Sequence, residues 1–350
     1  MRKFIIFLLT LSLMSTFSCS TDFNINAEWK DIAVVYGLID QSDTVQYIKL
    51  NKVFLGDADA YIMAQEPDSN YYNSAEVFLE PLQNGNNIYD NLGNIERIQL
   101  VETNDIIKED GVFSIANNTL YKTTETLYEI YDYKLVINIP GKDEITSTTS
   151  LVEDLKIIKP TTNPAEKVGL YNGQADEFLD YKVEFSPTET GTLYGLVIRF
   201  HYREHHNDGV HDQYIDWVQS NKKRPSIIGV STTMNMTIAG GSFYEFVNNN
   251  IEQVDPAIKR EAVGLDFIFI VAGEELTLFM EVNGPSQGIV QEKPAFTNIT
   301  NGIGIFSSRY SKRIENKQLS NLAIDQLSCG EITKHLRFAD HYGNYDCLNN

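Results

Sequence analysis

Apolar and polar residues alternate in short segments along the first half of the chain. The segment Asp31–Ile39 is rich in β-branched residues, residues 40–43 form a turn, and apolar and polar side chains alternate through residues 44–55. Alternation with a period of two is typical of a half-buried strand, so these segments predict a hairpin. Further strands are predicted at 75–82, 97–101, 111–115, 131–139 and 144–150. Roughly seven short strands with no helix between them predict an immunoglobulin-like β-sandwich over residues 31–158.

A segment rich in proline, asparagine and glycine, residues 156–176, separates these strands from a second series. Such residues are typical of turns and linkers, so we place a domain boundary there. The second domain, residues 165–350, is predicted to contain strands at 178–185, 191–204, 211–219 and 227–238, and then a hairpin of the apolar segments Leu265–Val271 and Leu276–Val282.

Two helices are predicted to flank the strands of the second domain. Apolar residues at helical spacing predict one helix near 243–254, and Ser242 and Glu245 have the spacing of a capping box at its start. A shorter helix is predicted to begin at Asn321. We therefore expect a mainly β protein with two β-sandwich domains, the second of which carries one or two flanking helices.

The N-terminus has the pattern of a secretory signal. Arg2 and Lys3 precede a short apolar run, residues 4–14, which is too short to span a bilayer as a stable helix. The small residues that follow end at Cys19, and this ending resembles a bacterial lipobox, in which the cysteine is acylated. We expect residues 1–18 to be a lipoprotein signal peptide, Cys19 to carry the lipid (such as palmitate), and residues 19–30 to form a tether. An ordinary signal peptide, cleaved near Ser18 or Ser20, is the alternative.

The chain has 3 cysteines, and lipidation of Cys19 would leave Cys329 and Cys347. Cysteine pairs persist as disulfides in exported proteins, so we predict a bridge between these two that ties the C-terminal tail to the body. Free thiols or metal ligands are the alternatives, although the cysteines of a metal site usually lie about two to four residues apart.

The formal net charge of the chain is −20. An acidic protein of this kind is repelled by nucleic acid and by anionic lipid, so we predict no nucleic-acid partner and expect the lipid alone to hold the protein at a membrane. The glycines at 302 and 304 lack the strand–loop–helix context of a phosphate-binding loop, and we predict no cofactor.

Four segments of the chain carry a family resemblance. They are Ile32–Ile39, Tyr133–Gly141, Ile145–Thr149 and, most specifically, Phe296–Phe306. Together with the lipobox they resemble uncharacterised outer-membrane lipoproteins of Bacteroidetes-type envelopes, which share a domain of unknown function. The resemblance implies an outer-membrane lipoprotein often associated with TonB-dependent uptake receptors, and it implies no catalytic residues. Within the last segment, residues 301–304 are predicted to form a tight turn into a closely packed strand, because glycine permits positive φ and close backbone approach.

Four of the six histidines lie between His201 and His211. The dipeptide Asp208-Gly209 favours a type I′ hairpin turn there. Counting outward from this turn places His201 opposite Asp216, His205 opposite Asp212, and His206 opposite His211. The first four are candidate ligand contacts in a polar strip, and His206 and His211 are a weak candidate metal pair. The alternative is a solvated hairpin with cross-strand ion pairs.

We therefore expect a lipid-anchored envelope protein with a binding or accessory role, without catalysis, linked to an outer-membrane uptake or assembly system. Its expected partners are the membrane, through the N-terminal lipid, and an envelope protein such as a TonB-dependent receptor. The alternative is an exported hydrolase, or a glycan-binding protein, that uses the hairpin 201–216. Tyr71, Tyr72, Tyr342 and Tyr345 lie in polar segments and are the best candidates for an exposed aromatic platform for sugars.

Overall fold

The computed structural model describes residues 31–53, 64, 70–107, 118–225, 233–253, 255, 257–284 and 296–345. The predicted signal peptide 1–18, the lipidation site Cys19, the tether 19–30, the strand 111–115 and Cys347 lie outside the described residues. Cys329 is disulfide-bonded, and its pairing with Cys347 stays a prediction. Within the described part of the chain, no helix has the length and apolar character needed to cross a bilayer.

The protein is mainly β, with one large mixed sheet and few helices. The strands are β1 Ala33–Ile39, β2 Gln46–Lys52, β3 Glu76–Gln83, β4 Asn86–Asn87, β5 Ile98–Thr103, β6 Leu120–Thr123, β7 Asp132–Asn138, β8 Ile145–Ser150, β9 Lys156–Lys159, β10 Tyr171–Asn172, β11 Glu177–Phe178, β12 Tyr181–Ser186, β13 Leu193–His206, β14 Gly209–Val218, β15 Lys222–Lys223, β16 Met234–Ile238, β17 Lys259–Ala272 and β18 Gly302–Lys317. The helices are α1 Gly240–Asn250, α2 Glu274–Asn283, α3 Asn321–Cys329 and a short 3₁₀ helix, Lys334–Leu336.

The large sheet runs through both halves of the protein in the order β14-β13-β17-β18-β1-β2-β6-β5-β3-β7-β8. Strand β18 makes this continuity possible because it is 16 residues long and changes its partner midway. Its first part, residues 302–308, pairs in parallel with all of β1. Its second part, residues 309–317, pairs antiparallel with β17. A strand from the predicted second domain therefore completes the sheet of the predicted first one.

The buried apolar side chains form two clusters. One comprises residues between Ala33 and Leu151 together with Ile299 and Phe306, and the other begins at Val152 and extends to Phe338. The changeover lies a few residues before the predicted boundary region, and β18 contributes to both clusters. In the second cluster, the three-stranded sheet β16-β12-β9 packs on the large sheet through aromatic pairs, Phe185 with Phe269 and Tyr181 with Phe267.

The start of β18 shows why glycine occupies position 304. Asn301 has a φ of 59° and Gly304 a φ of 115°. A Cβ atom at position 304 would lie 2.0 Å from the Val35 carbonyl oxygen on β1. The predicted tight turn and close backbone approach are thus confirmed, and they set the contact between the first and last strands of the chain.

Both predicted helices exist, but the first of them begins and ends earlier than predicted. The helix predicted near 243–254 is α1, which begins earlier and ends at Asn250. The predicted capping box is wrong, because the residue before the helix is Ala239 and no side chain caps it. The helix predicted from Asn321 is α3, and the Ser320 hydroxyl accepts a hydrogen bond from the Ala323 N–H at 3.2 Å.

The predicted hairpin of 265–271 and 276–282 is wrong, because the second segment is α2. Glu274 and Glu275 lie in its first turn, where the helix dipole favours negative charge. The Glu275 carboxylate accepts hydrogen bonds at 3.0 Å from the hydroxyls of Thr149 and Ser307. The Ser307 hydroxyl also accepts the Leu276 N–H at 3.1 Å. These contacts fasten the start of α2 where β18 changes its partner.

Candidate functional site

The histidine-rich hairpin is formed by β13 and β14, but its register differs from the prediction. His206 pairs with Gly209, so the turn residues are Asn207 and Asp208. Neither of them has a positive φ, whereas Gly209 does, at 149°. The predicted type I′ turn at 208–209 is therefore wrong by one position. The glycine supplies its backbone freedom at the start of β14 and not inside the turn.

In this register, each of the two aspartates of β14 lies opposite an arginine of β13. Asp216 lies opposite Arg199 and binds it in a bidentate ion pair, with two N–O distances of 2.7 Å. The hydrogen bond from Arg199 holds the pKa of Asp216 below its ordinary value. Asp212 lies opposite Arg203 and accepts one hydrogen bond from its Nε, at 3.0 Å. The predicted oppositions His201–Asp216 and His205–Asp212 do not occur.

The histidines of β13 instead meet acids of the neighbouring strand β17 or of their own hairpin. His201 Nε2 lies 2.8 Å from the carboxylate of Asp266, which is buried and also accepts the Asn316 N–H. His205 Nε2 lies 3.2 Å from Glu261 Oε1 without forming a hydrogen bond to it. His201 and His205 thus share a strand, but each has its own carboxylate partner.

A buried ion pair connects the hairpin to the core. Arg260 is only 1% exposed, and its Nε donates to Glu204 Oε1 at 2.8 Å. The other oxygen of Glu204 lies 3.0 Å from His206 Nε2. Burial raises the pKa of Glu204, but the hydrogen bonds from His206 and Arg260 outweigh it and leave the pKa lowered. The guanidinium also donates to the carbonyl oxygens of Glu252 and Leu336.

The rings of His206 and His211 are 5.0 Å apart and nearly perpendicular. His211 Nε2 lies 3.3 Å from Asp208 Oδ1, and His206 is bonded to Glu204. The described residues contain no group of three or more histidine, cysteine or acidic side chains arranged to hold a metal ion. The predicted pairing of His206 opposite His211 is wrong, because His206 lies opposite Gly209 and His211 opposite Glu204. The two rings are nevertheless close, without a third protein ligand among the residues that the structure describes.

A cavity of about 220 Å³ lies at the tip of the hairpin, lined by His205, His206, Asn207, Asp208, Asp255, Ala257 and Ile258. Of the four candidate ligand contacts, His205 borders this cavity, while His201, Asp212 and Asp216 do not. The structure therefore gives those four residues four separate partners, and only His205 also borders this cavity.

The tyrosines proposed as an aromatic platform are not together. Tyr71 is buried, and the Tyr72 hydroxyl donates to Asp31. The Tyr345 hydroxyl donates to Glu261, and burial and that bond raise its pKa to about 12. Tyr342 is exposed, so a single member of the predicted set is available to solvent.

A groove that the sequence did not indicate lies on the first half of the protein. Two adjoining cavities of about 560 and 360 Å³ share Glu96, Ile98 and Glu125 in their walls. We call this the β5–β7 groove and define it by the residues of both cavities, which are Pro81, Glu96, Arg97, Ile98, Gln99, Val101, Lys122, Thr123, Thr124, Glu125, Thr126, Tyr128, Ile130, Tyr131 and Tyr133.

The β5–β7 groove exposes large apolar side chains. Val101 is 56% exposed, Tyr128 59% and Ile130 70%. Tyr133 is buried beneath them and accepts the Tyr128 N–H at its hydroxyl, at 2.8 Å. Clustered apolar exposure of this kind marks interaction surfaces in proteins. The only sequence signal was an excess of apolar residues in the turn before β7, where polar residues are usual.

No family profile matches the chain, and no curated protein resembles it by sequence. Among solved structures, one similar chain is titled "Cytokine receptor complex - Crystal form 1A", with 8% sequence identity and a TM-score of 0.20. The match covers 82% of this chain and 98% of that one. A likeness at this TM-score carries no conclusion about fold or function.

Proposed function

We propose that this protein is a lipid-anchored, non-catalytic binding or accessory protein of the cell envelope, linked to an outer-membrane uptake or assembly system. Cys19 would carry the lipid, and the folded body would face water. The observation that carries the binding role is the β5–β7 groove, a concave surface with exposed apolar and aromatic side chains.

The pairing within the hairpin supports this proposal over a hydrolase. A hydrolase that used the hairpin would need its acids and histidines around one cavity, with a carboxylate free to exchange a proton. Asp216 and Asp212 are instead held by Arg199 and Arg203 in ion pairs. The hydrogen bond from Arg199 lowers the pKa of Asp216, so this carboxylate keeps its negative charge and is a poor proton donor.

We also infer that each apolar cluster is the core of a β-sandwich, the first of them immunoglobulin-like. In the first half, β5 pairs with β3 through residues 98–100 and with β6 through residues 101–103, so it joins the β3-β7-β8 part of the large sheet to the β6-β2-β1 part. In the second half, the sheet of β9, β12 and β16 faces β17 across the aromatic pairs. Strand β18 would then be shared between the two sandwiches.

Metabolic labelling with an alkyne analogue of palmitate tests the anchor. We expect the full chain expressed in a diderm bacterium to incorporate the label and to sediment with the outer membrane. The variant Cys19→Ser should incorporate none and be released as soluble protein. Equal labelling of both chains, or wild-type protein without label, would overturn the anchoring proposal.

A further inference from the structure

The charges that line the β5–β7 groove are not balanced. Arg97 and Lys122 are its cations, and both are already paired: Arg97 Nε lies 2.7 Å from the buried carboxylate of Glu80, and Lys122 bonds Asp105. Within the described parts of the chain, neither Glu96 nor Glu125 takes part in an ion pair. Among the described residues, the groove therefore presents two carboxylates without an ion-pair partner, and both of them border each of its two cavities.

Tyrosines line the groove together with these carboxylates. Tyr128, Tyr131 and Tyr133 line the same cavity as Glu96 and Glu125. Burial is the main cause that raises the pKa of Tyr133, and the charge of Glu96 adds to it, so this carboxylate acts on the phenol at the groove floor. Carboxylates beside aromatic faces attract ammonium and guanidinium groups, by direct charge attraction and by cation–π interaction.

The apolar wall of the groove is suited to the methylene groups of a lysine or arginine side chain. Lysine and arginine carry three or four methylene groups before their charge, and these pack on apolar surface while the charged end reaches a polar partner. Ile98, Ile130 and Pro81 supply that surface next to the tyrosines. A neutral sugar would use the aromatic faces but would leave both carboxylates without a counter-charge.

We propose that the β5–β7 groove binds a protein segment that presents lysine or arginine side chains next to apolar ones. The segment belongs to the partner that the proposed function requires, and this inference rests on that function. Glu96 and Glu125 bind the cationic ends, and Tyr128 and Ile130 cover the apolar part of the segment. The acidic charge of the whole chain, −20, favours the approach of such a partner.

Peptide titration of the full-length chain tests the proposal. The probes are acetyl-Leu-Lys-Phe-Lys-Leu-amide and its counterpart with glutamine in place of both lysines, with binding followed by calorimetry at low salt. We expect the lysine peptide to bind at least about tenfold more tightly than the glutamine peptide, and its binding to weaken as salt is raised. Equal binding of the two peptides overturns the proposal. So does a lysine peptide that shows no binding at a concentration of about 1 mM.

Variants of the groove locate the binding. The double variant Glu96→Gln, Glu125→Gln should weaken binding of the lysine peptide about tenfold. The matched control is Glu177→Gln, an exposed glutamate of β11 in the other half of the protein, which should leave it unchanged. Tyr128→Ala should also weaken it, and keeps the backbone N–H that Tyr133 accepts. If the control variant loses binding equally, or if the double variant binds the lysine peptide as tightly as the wild type does, the assignment of the site to the groove is overturned.

A glycan probe tests whether the groove binds a sugar and not a cationic protein segment. Cellohexaose is a neutral sugar that stacks on aromatic side chains, and we expect it not to compete with the lysine peptide. Cellohexaose binding that Tyr128→Ala abolishes and the double glutamine variant leaves intact would show a sugar site and overturn the proposal. These outcomes leave the test of lipid attachment at Cys19 untouched, so the failure of the site and the failure of the proposed function remain distinguishable.

Discussion

Gly304 and Val35 are in contact so close that a side chain cannot be placed between them. A Cβ atom at position 304 would lie 2.0 Å from the Val35 carbonyl oxygen, and the φ of Gly304 is 115°. This contact lies within the parallel pairing of β1 with the first part of β18. The end of the chain is thereby fixed to its first strand, and both apolar clusters depend on β18.

The variant Gly304→Ala should therefore destabilise the protein strongly. The unfavourable φ and the collision with backbone act together, and we expect a loss of at least about 3 kcal/mol in the free energy of unfolding. Urea denaturation of purified protein measures it. The control is Gly141→Ala, where φ is 78° but nothing lies within 4 Å, and the cost should be nearer about 1 kcal/mol. Similar losses in both variants would show that crowding at β1 is unimportant.

The buried pair of Arg260 and Glu204 makes a second prediction about stability. Removing the carboxylate leaves a guanidinium in the core without its counter-charge, so Glu204→Gln should cost about 3 kcal/mol in urea denaturation. The double variant Glu204→Gln, Arg260→Met removes both charges and should recover part of that loss. Asp212→Asn, which disrupts an exposed pair of the same hairpin, should change stability little. A double variant less stable than Glu204→Gln would contradict this account.

The same carboxylate predicts how stability changes with pH. The pKa of Glu204 is lowered in the folded protein from its ordinary 4.5. Its contribution is therefore fully present above about pH 4.5 and is lost as the pH falls through the lowered folded pKa. The difference in unfolding free energy between wild type and Glu204→Gln should shrink as the solution is acidified below about pH 4.5. A difference that grew on acidification would reverse the sign we assign.

Zinc gives a direct test of the histidine hairpin. His206 and His211 approach each other, but each is bonded to a carboxylate of its own hairpin, and stable zinc sites need three or four protein ligands. We expect calorimetric titration with zinc to give no heat that the variant His206→Ala, His211→Ala removes. A site of micromolar affinity that disappears in this variant would reinstate the metal pair.

The sequence pattern was sufficient to predict β1, β2, β7 and β8. Of these, β1, β2 and β8 bury alternate residues, whereas three consecutive residues in the centre of β7 are buried. The pattern failed at α2, where Leu276, Leu278 and Met280 alternate as in a strand. Contacts of Glu275 with Thr149 and Ser307, distant in the sequence, favour the helix instead. β6 was missed because four residues contain too little alternation to be recognised.

The hairpin and the groove show two further structural features that could not be predicted from the sequence. Asn207, Asp208 and Gly209 are all favourable turn residues, and a difference of one position between the two turns changes every cross-strand pair. The β5–β7 groove combines three segments, around Pro81, Glu96 and Tyr128, whose proximity results from strand order and not from local sequence. The change of partner within β18 is likewise set by contacts with β1 and β17, which are distant from β18 in the sequence, and not by local periodicity.

Site-specific photocrosslinking in cells tests the central claim most directly. A photoreactive residue would replace Ile130 in the groove or, as a control, Glu177 on the other half of the protein, in otherwise identical chains that retain Cys19. We predict one discrete crosslinked envelope protein from position 130, none from position 177, and loss of the product when Glu96 and Glu125 are also changed to glutamine. No product from position 130, or the same product from both positions, would contradict the account.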